Sequence, residues 1–155
     1  MKIYLGSDHA GFALKNSIAD ILRKAGHEVE DLGAHVLDPA DDYPDFILPV
    51  ARAVAADHEA RGIVFGMSGQ GEAMAANRIK GARAAVYYDI CGTSDVPHSD
   101  KILTLSRAHN DANILSIGAH FVTEADAKEA IVLWLATPFS AEERHLRRIK
   151  KLDSN

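Results

Sequence analysis

Gly62-Ile63-Val64-Phe65-Gly66-Met67-Ser68-Gly69-Gln70-Gly71-Glu72 runs without a break into Ala73-Met74-Ala75-Ala76-Asn77. A short apolar run opens onto a glycine-rich loop, and the loop opens onto a stretch of helix formers, so the order is strand, loop, helix. The same alternation continues outward in both directions. Strands are expected at Lys2–Leu5, Glu28–Leu32, Gly62–Phe65, Ala84–Tyr88 and Ile114–Ile117. Helical spacing of apolar residues marks Phe12–Lys24, Phe46–Ala56, Ala73–Arg78 and Ala125–Leu135. Strands alternating with helices predict an α/β fold around a mostly parallel sheet. Gly26 is placed to end the first helix and Pro44 to begin the second. Ser140 and Glu143 stand three apart, as in a capping box, so a separate terminal helix over about 140–151 is expected.

The chain has 155 residues, 17 Lys and Arg against 22 Asp and Glu, eight His, one Cys, and a net charge of −5. That length is one domain, residues 1–155, and 47% hydrophobic residues supply a core without disulfides or a structural metal. The mild acidity gives no electrostatic footprint for nucleic acid. No apolar run approaches the roughly 20 residues that cross a bilayer. Cys91 is alone, and a reduced cytoplasm is the default setting.

In an open parallel sheet, ligands bind beyond the carboxyl ends of the strands. Two loops there draw attention. Gly6-Ser7-Asp8-His9-Ala10-Gly11 brings Asp8 and His9 together after the first strand; the pair either grips a substrate or Asp8 caps the following helix. In the quoted loop, the glycines at 66, 69 and 71 let backbone amides converge at a helix start, an anion cradle in outline. It lacks the P-loop lysine and the dinucleotide spacing. Glu72 stands at its mouth, either as a base or as a first-turn glutamate complementing the helix dipole. Helix-end amides would lower its pKa and exclusion of water would raise it.

A third stretch, Asp89 to His109, reads as a long loop holding Cys91, His98 and Asp100. His109 and Asn110 precede the last strand and so stand at the opposite end from the other two loops. Either His109 is a capping or surface histidine, or a dimer interface completes the site.

Asp8-His9-Ala10-Gly11, Tyr43-Pro44, the Gly66–Glu72 loop with Ala75-Ala76-Asn77, Gly81-Ala82-Arg83-Ala84, His109-Asn110-Asp111-Ala112-Asn113, and Arg144-His145 with Arg148 occur in one order along the chain. Together they resemble the ribose-5-phosphate isomerase type B and galactose-6-phosphate isomerase family, collinearly from Met1 to about Lys151. The resemblance implies a Rossmann-like α/β/α sandwich with a five-stranded parallel sheet and a C-terminal helix extending to a partner subunit. It implies a homodimer or dimer of dimers, a small phosphorylated sugar as ligand, and aldose–ketose isomerisation with no metal or other cofactor. Residue by residue, it gives Glu72 the role of proton-transferring base, because the thiol of the family's cysteine branch would stand at Gly66. It gives Ser68 and the amides of Gly69, Gln70 and Gly71 the enediolate oxygen, where preorganised donors contribute most. Asp8, Tyr43 and His109 would serve ring opening and hydroxyl contacts, and Asn110 positioning. His9, Arg144 and Arg148 would clamp the phosphate, the two arginines sharing a helix face four residues apart.

Three departures bear on the sugar. Gly92–Asp100 is an insertion, His120 stands where many relatives carry a phosphate-binding arginine, and Met67 replaces a common glycine. Four-carbon sugars such as erythrulose 4-phosphate and six-carbon phosphates therefore stay open beside ribose 5-phosphate. A non-catalytic sugar-phosphate sensor or subunit on the same fold is the competing reading, and a nucleotide-binding α/β protein is a second. Asp38, Asp41, Asp42 and Asp45 lack the ligand spacing of a calcium loop. His27, His35 and His58 read as exposed, and Met74, Phe121 and Trp134 as packing.

Overall fold

The computed structural model describes residues 1–88 and 98–154. Five parallel strands, β1 (Lys2–Ser7), β2 (Glu28–Asp31), β3 (Arg61–Gly66), β4 (Ala84–Tyr87) and β5 (Ile114–Gly118), form one sheet in the order β2-β1-β3-β5-β4. Side chains alternate across the pleat. Ile3, Leu5, Ile63, Phe65, Leu115 and Ile117 face a core shared with α1 (Phe12–Lys24), α4 (His98–Asn110) and α5 (Glu124–Ala136). Tyr4, Val64 and Ile114 face a second core under α2 (Tyr43–Ala56) and α3 (Gln70–Ala76). The expected α/β/α sandwich is thus observed, with the inner strands β1, β3 and β5 buried on both faces and the edge strands β2 and β4 partly open to solvent. The terminal helix α6 (Glu143–Asp153) lies largely in solvent, with His145 its buried residue.

The strand order creates the site. From β1 the chain passes to β2 on one side and then crosses to β3 on the other, so α1 covers one face and α2 the opposite one. The loops after β1 and β3 diverge at this switch point and leave a crevice outside the strands' carboxyl ends.

Four expectations need correction. The stretch read as a loop to His109 is helical from His98, and His109 and Asn110 close α4. Its inner face carries Leu103 and then the buried Arg107, so the apolar period is interrupted by a cation. Arg107 is satisfied by Asp111 Oδ1 at 2.8 Å and the Ala112 carbonyl at 2.6 Å, and lies over Trp134. The capping box at Ser140 does not form: α6 begins at Glu143 without a side-chain cap, and Ser140 Oγ instead meets His145 Nδ1 at 2.9 Å. A capping box stands at Thr123 and Asp126, opening α5. Trp134 is core, but Met74 and Phe121 are exposed, and Phe121 packs only at the surface, its ring 6.0 Å from that of Tyr88. His35 and His58 are exposed as expected, whereas His27 is partly buried with Nδ1 unpartnered. Cys91 and residues 92–97 of the insertion lie outside the described residues.

Candidate active site at the carboxyl edge of the sheet

The β3–α3 loop is fixed by backbone bonds to the end of β5. Ala119 N–H donates to the Gly66 carbonyl at 2.8 Å, His120 N–H to that of Met67 at 3.2 Å, and Ser116 Oγ–H to that of Gly69 at 2.6 Å. Gly69 caps α3 with φ +74°, a left-handed conformation that side chains other than glycine disfavour. Ser68 Oγ accepts from Gln70 N–H at 3.4 Å, which places its hydroxyl beside the amides of the first helical turn.

Glu72 is the third residue of α3 and only 5% exposed. Its carboxylate occupies the space over Gly66: a Cβ added at 66 would stand 1.9 Å from Oε1 and 2.0 Å from Cδ. The Glu72 carboxylate as placed and a side chain on residue 66 would therefore compete for the same space. Burial pushes the Glu72 pKa up, the negative charge of Asp8 adds to the rise, and a bond from its own backbone N–H opposes it. Of the two influences left open by the sequence, exclusion of water wins.

Across the crevice, Asp8 is buried and its Oδ1 accepts from Ala10 N–H at 3.0 Å, so it does cap the 3-10 turn His9–Gly11. Its charge still reaches Glu72. Tyr43, the first residue of α2, lays its ring against Gly71; a Cβ there would be 3.0 Å from Cζ and 3.2 Å from the hydroxyl. His9 gives both its backbone N–H, at 3.0 Å, and Nδ1, at 2.6 Å, to Asp41 Oδ1. The carboxylate of Asp41, with those of Asp8 and Asp38, holds the imidazole above its ordinary pKa against partial desolvation. Asp8, His9, Tyr43, Ser68, Gly69, Gln70, Gly71 and Glu72 thus all stand at one edge.

His109, Asn110, Arg144 and Arg148 do not join them. Asn110 ends α4, just before β5, and α6 packs back toward the same edge, where Asp153 lies 3.5 Å from Arg83 at the start of β4. The His109 and His145 rings are 4.3 Å apart. Burial first, then the positive character of His109 and Arg144, pushes the His145 pKa down. β5 is five residues, about 17 Å, long, and Asn110 precedes its start whereas the Glu72 loop is bonded to its end.

The sequence reading passed over Asp41, because an acidic cluster beside Tyr43 carries no sign that one member reaches back to His9, 32 residues earlier. Asp8, His9 and Asp41 each offer a ligand atom within 4.8 Å of one another, the group among the described residues that could hold an ion. The nitrogen and oxygen donors would suit a borderline divalent cation, but Asp8 Oδ1 and His9 Nδ1 already have partners.

A buried carboxylate beside amides and hydroxyls, at the switch point of a parallel sheet, is the equipment for moving a proton next to a carbonyl. Together with its relatives, it defines a sugar-phosphate aldose–ketose isomerase. The chain belongs to the ribose/galactose isomerase family, whose model matches residues 3–152. It is 41% identical over 149 residues to ribose-5-phosphate isomerase B of Mycolicibacterium paratuberculosis, covering 96% of this chain and 87% of the relative. Ribose-5-phosphate isomerase B from Clostridium thermocellum superposes with TM-score 0.87 at 42% identity, over 99% of this chain and 96% of that one. The enzyme from Mycoplasma genitalium, solved with bound ribulose-5-phosphate, superposes with TM-score 0.88 at 34% identity, over 99% of this chain and 94% of that one. These relatives give no support to the sensor reading. No helix among the described residues is long and apolar enough to cross a membrane.

Proposed function

We propose that this chain interconverts ribose 5-phosphate and ribulose 5-phosphate, or a closely related short sugar phosphate, through an enediolate, with Glu72 carrying the proton between the two carbons. The observation that carries the reading is the Glu72 carboxylate, buried over Gly66 and beside the Gly69–Gly71 amides. A raised pKa strengthens a carboxylate as a base. Ser68 and the loop amides would take the charge that appears on oxygen as the proton leaves. Asp8 and Tyr43 would serve ring opening, and His9 the phosphate. No step needs a metal or other cofactor. Cytoplasmic chemistry suits a chain with a single cysteine.

The working unit in this proposal is a homodimer whose sites take Glu72 from one protomer and His109, Asn110, Arg144 and Arg148 from the other. Supporting it are the separation of the two groups in one chain, the two exposed arginines on the solvated α6, and exposed Met67 and Met74 beside the loop. Complementation tests both halves. Glu72→Gln and His109→Asn should each bind sugar phosphate but turn over almost nothing. Mixed by co-refolding, they should recover roughly a quarter of wild-type activity, because half the dimers are mixed and each mixed dimer has one intact site. Substantial activity in Glu72→Gln alone removes it as the base; no recovery on mixing removes the shared site. A panel of four-, five- and six-carbon sugar phosphates then assigns the sugar, with His120 and the insertion as the features that set it apart.

A further inference from the structure

We propose that Asp41 is a positioning residue for His9, fixing the ring so that Nδ1 carries a proton toward Asp41 and Nε2 is the nitrogen left for the ligand's phosphate. This rests on the reading of His9 as a phosphate contact. One carboxylate oxygen, Asp41 Oδ1, takes both the backbone N–H and Nδ1 of His9, which sets the ring's rotation as well as its tautomer. Asp41 is itself held in advance. Its side chain is 10% exposed, Asp41 N–H donates to the Asp38 carbonyl at 3.1 Å, and Asp38 Oδ1 accepts from Ala40 N–H at 3.0 Å. The segment leading to it is tied to β1 by Leu32 N–H on the Leu5 carbonyl at 2.8 Å and Ala34 N–H on that of Ser7 at 3.0 Å.

A carboxylate in that place also decides charge. The groups facing His9 are Asp8 on its own turn, and Asp38 and Asp41 on the β2–α2 segment. All three are anionic and favour the imidazolium, the form able to donate a charge-assisted bond from Nε2 to a phosphate oxygen. Asp41 contributes most, through its direct hydrogen bond. Oδ2 of Asp41 is buried with no partner, so little competes with His9 for this carboxylate.

The test reads His9 directly. In ¹⁵N-labelled protein, the imidazole resonances of His9 are identified by their loss in His9→Asn, then followed through pH and through titration with inorganic phosphate. Wild-type His9 should titrate above 6.5 with Nδ1 protonated in its neutral form, and its resonances should shift with phosphate. Asp41→Asn keeps size and an acceptor oxygen but removes the charge. Its His9 midpoint should fall by roughly one pH unit, and phosphate affinity at pH 8 by roughly tenfold, one unit corresponding to a factor of ten. At a pH below both measured midpoints, where both forms are protonated, the affinities should agree within about twofold. Asp41→Glu should restore part of the midpoint. An unmoved midpoint and unchanged phosphate affinity in folded Asp41→Asn overturn the inference, as does loss of affinity equal at both pH values, which a merely structural role would give. Unchanged phosphate affinity in His9→Asn overturns instead the reading of His9, and this inference with it.

Discussion

Placing a methyl group on Gly66 separates the proposed role of Glu72 from the fold. A Cβ at 66 meets Glu72 Oε1 at 1.9 Å, Cδ at 2.0 Å and Oε2 at 2.5 Å, against the 3.4 Å at which ordinary contact begins. Gly66→Ala must therefore push the carboxylate outward by about 1.5 Å. The obstructing atoms are the tip of a flexible side chain, and φ at 66 is not in the left-handed region. The chain should fold normally, with the melting temperature little changed. A catalytic group displaced by about 1 Å costs on the order of a hundredfold in rate, so kcat should fall by roughly that factor or more while sugar phosphate still raises the melting temperature. Glu72→Ala clears the same space, so Gly66→Cys combined with it should recover measurable turnover relative to Glu72→Ala alone, the thiol standing where the carboxylate was. Steady-state assay of the four proteins on the best substrate of the panel, with circular dichroism as a folding control, decides the matter. A folded Gly66→Ala with kcat within threefold of wild type would refute the placement of Glu72 as base.

Because burial raises the Glu72 pKa, the acid limb of kcat/KM should lie above the ordinary carboxylate range, activity falling as pH drops through it. Asp8→Asn removes a charge that contributes to the rise and should move that limb to lower pH; an unmoved limb argues that another group titrates there. The same shift makes folding favour protonated Glu72, so stability is fullest below the unfolded-state pKa and is lost as pH rises through the folded-state one. Glu72→Gln should consequently melt higher than wild type near pH 8, the gap closing below about pH 4; equal melting curves at pH 8 would count against a desolvated carboxylate. Arg107→Ala leaves Asp111 and the Ala112 carbonyl without their buried partner and should cost about 3 kcal/mol in urea unfolding, the lower end for a buried pair because Asp111 keeps Arg83. A loss under 1 kcal/mol would show that solvent replaces it.

The fold was legible because its signals are local. Strand and helix periods, a proline at the start of α2 and glycines at the turns each act within a few residues, and β1 to β5 appear within one or two residues of the expected bounds. The failures have long-range causes. Arg107 sits on the inner face of α4 because Asp111 and Trp134 receive it there, and that interruption hid the helix. Ser140 was drawn from its expected cap to the buried His145.

From its sequence, the chain determines a parallel α/β sheet and the loop that ends in Glu72, which follow from spacing and side-chain chemistry alone. Its ordered motifs carry the resemblance to its family. Only the tertiary structure decides that the Glu72 carboxylate fills the space over Gly66, that burial outweighs its own N–H in setting its pKa, and that Asp41 reaches back to His9. It also decides that His109 stands at the opposite end of the strands from Glu72. Each of these depends on which distant segments the sheet order brings to the same edge, and on how much water packing removes. Neither quantity is written in any local stretch of residues.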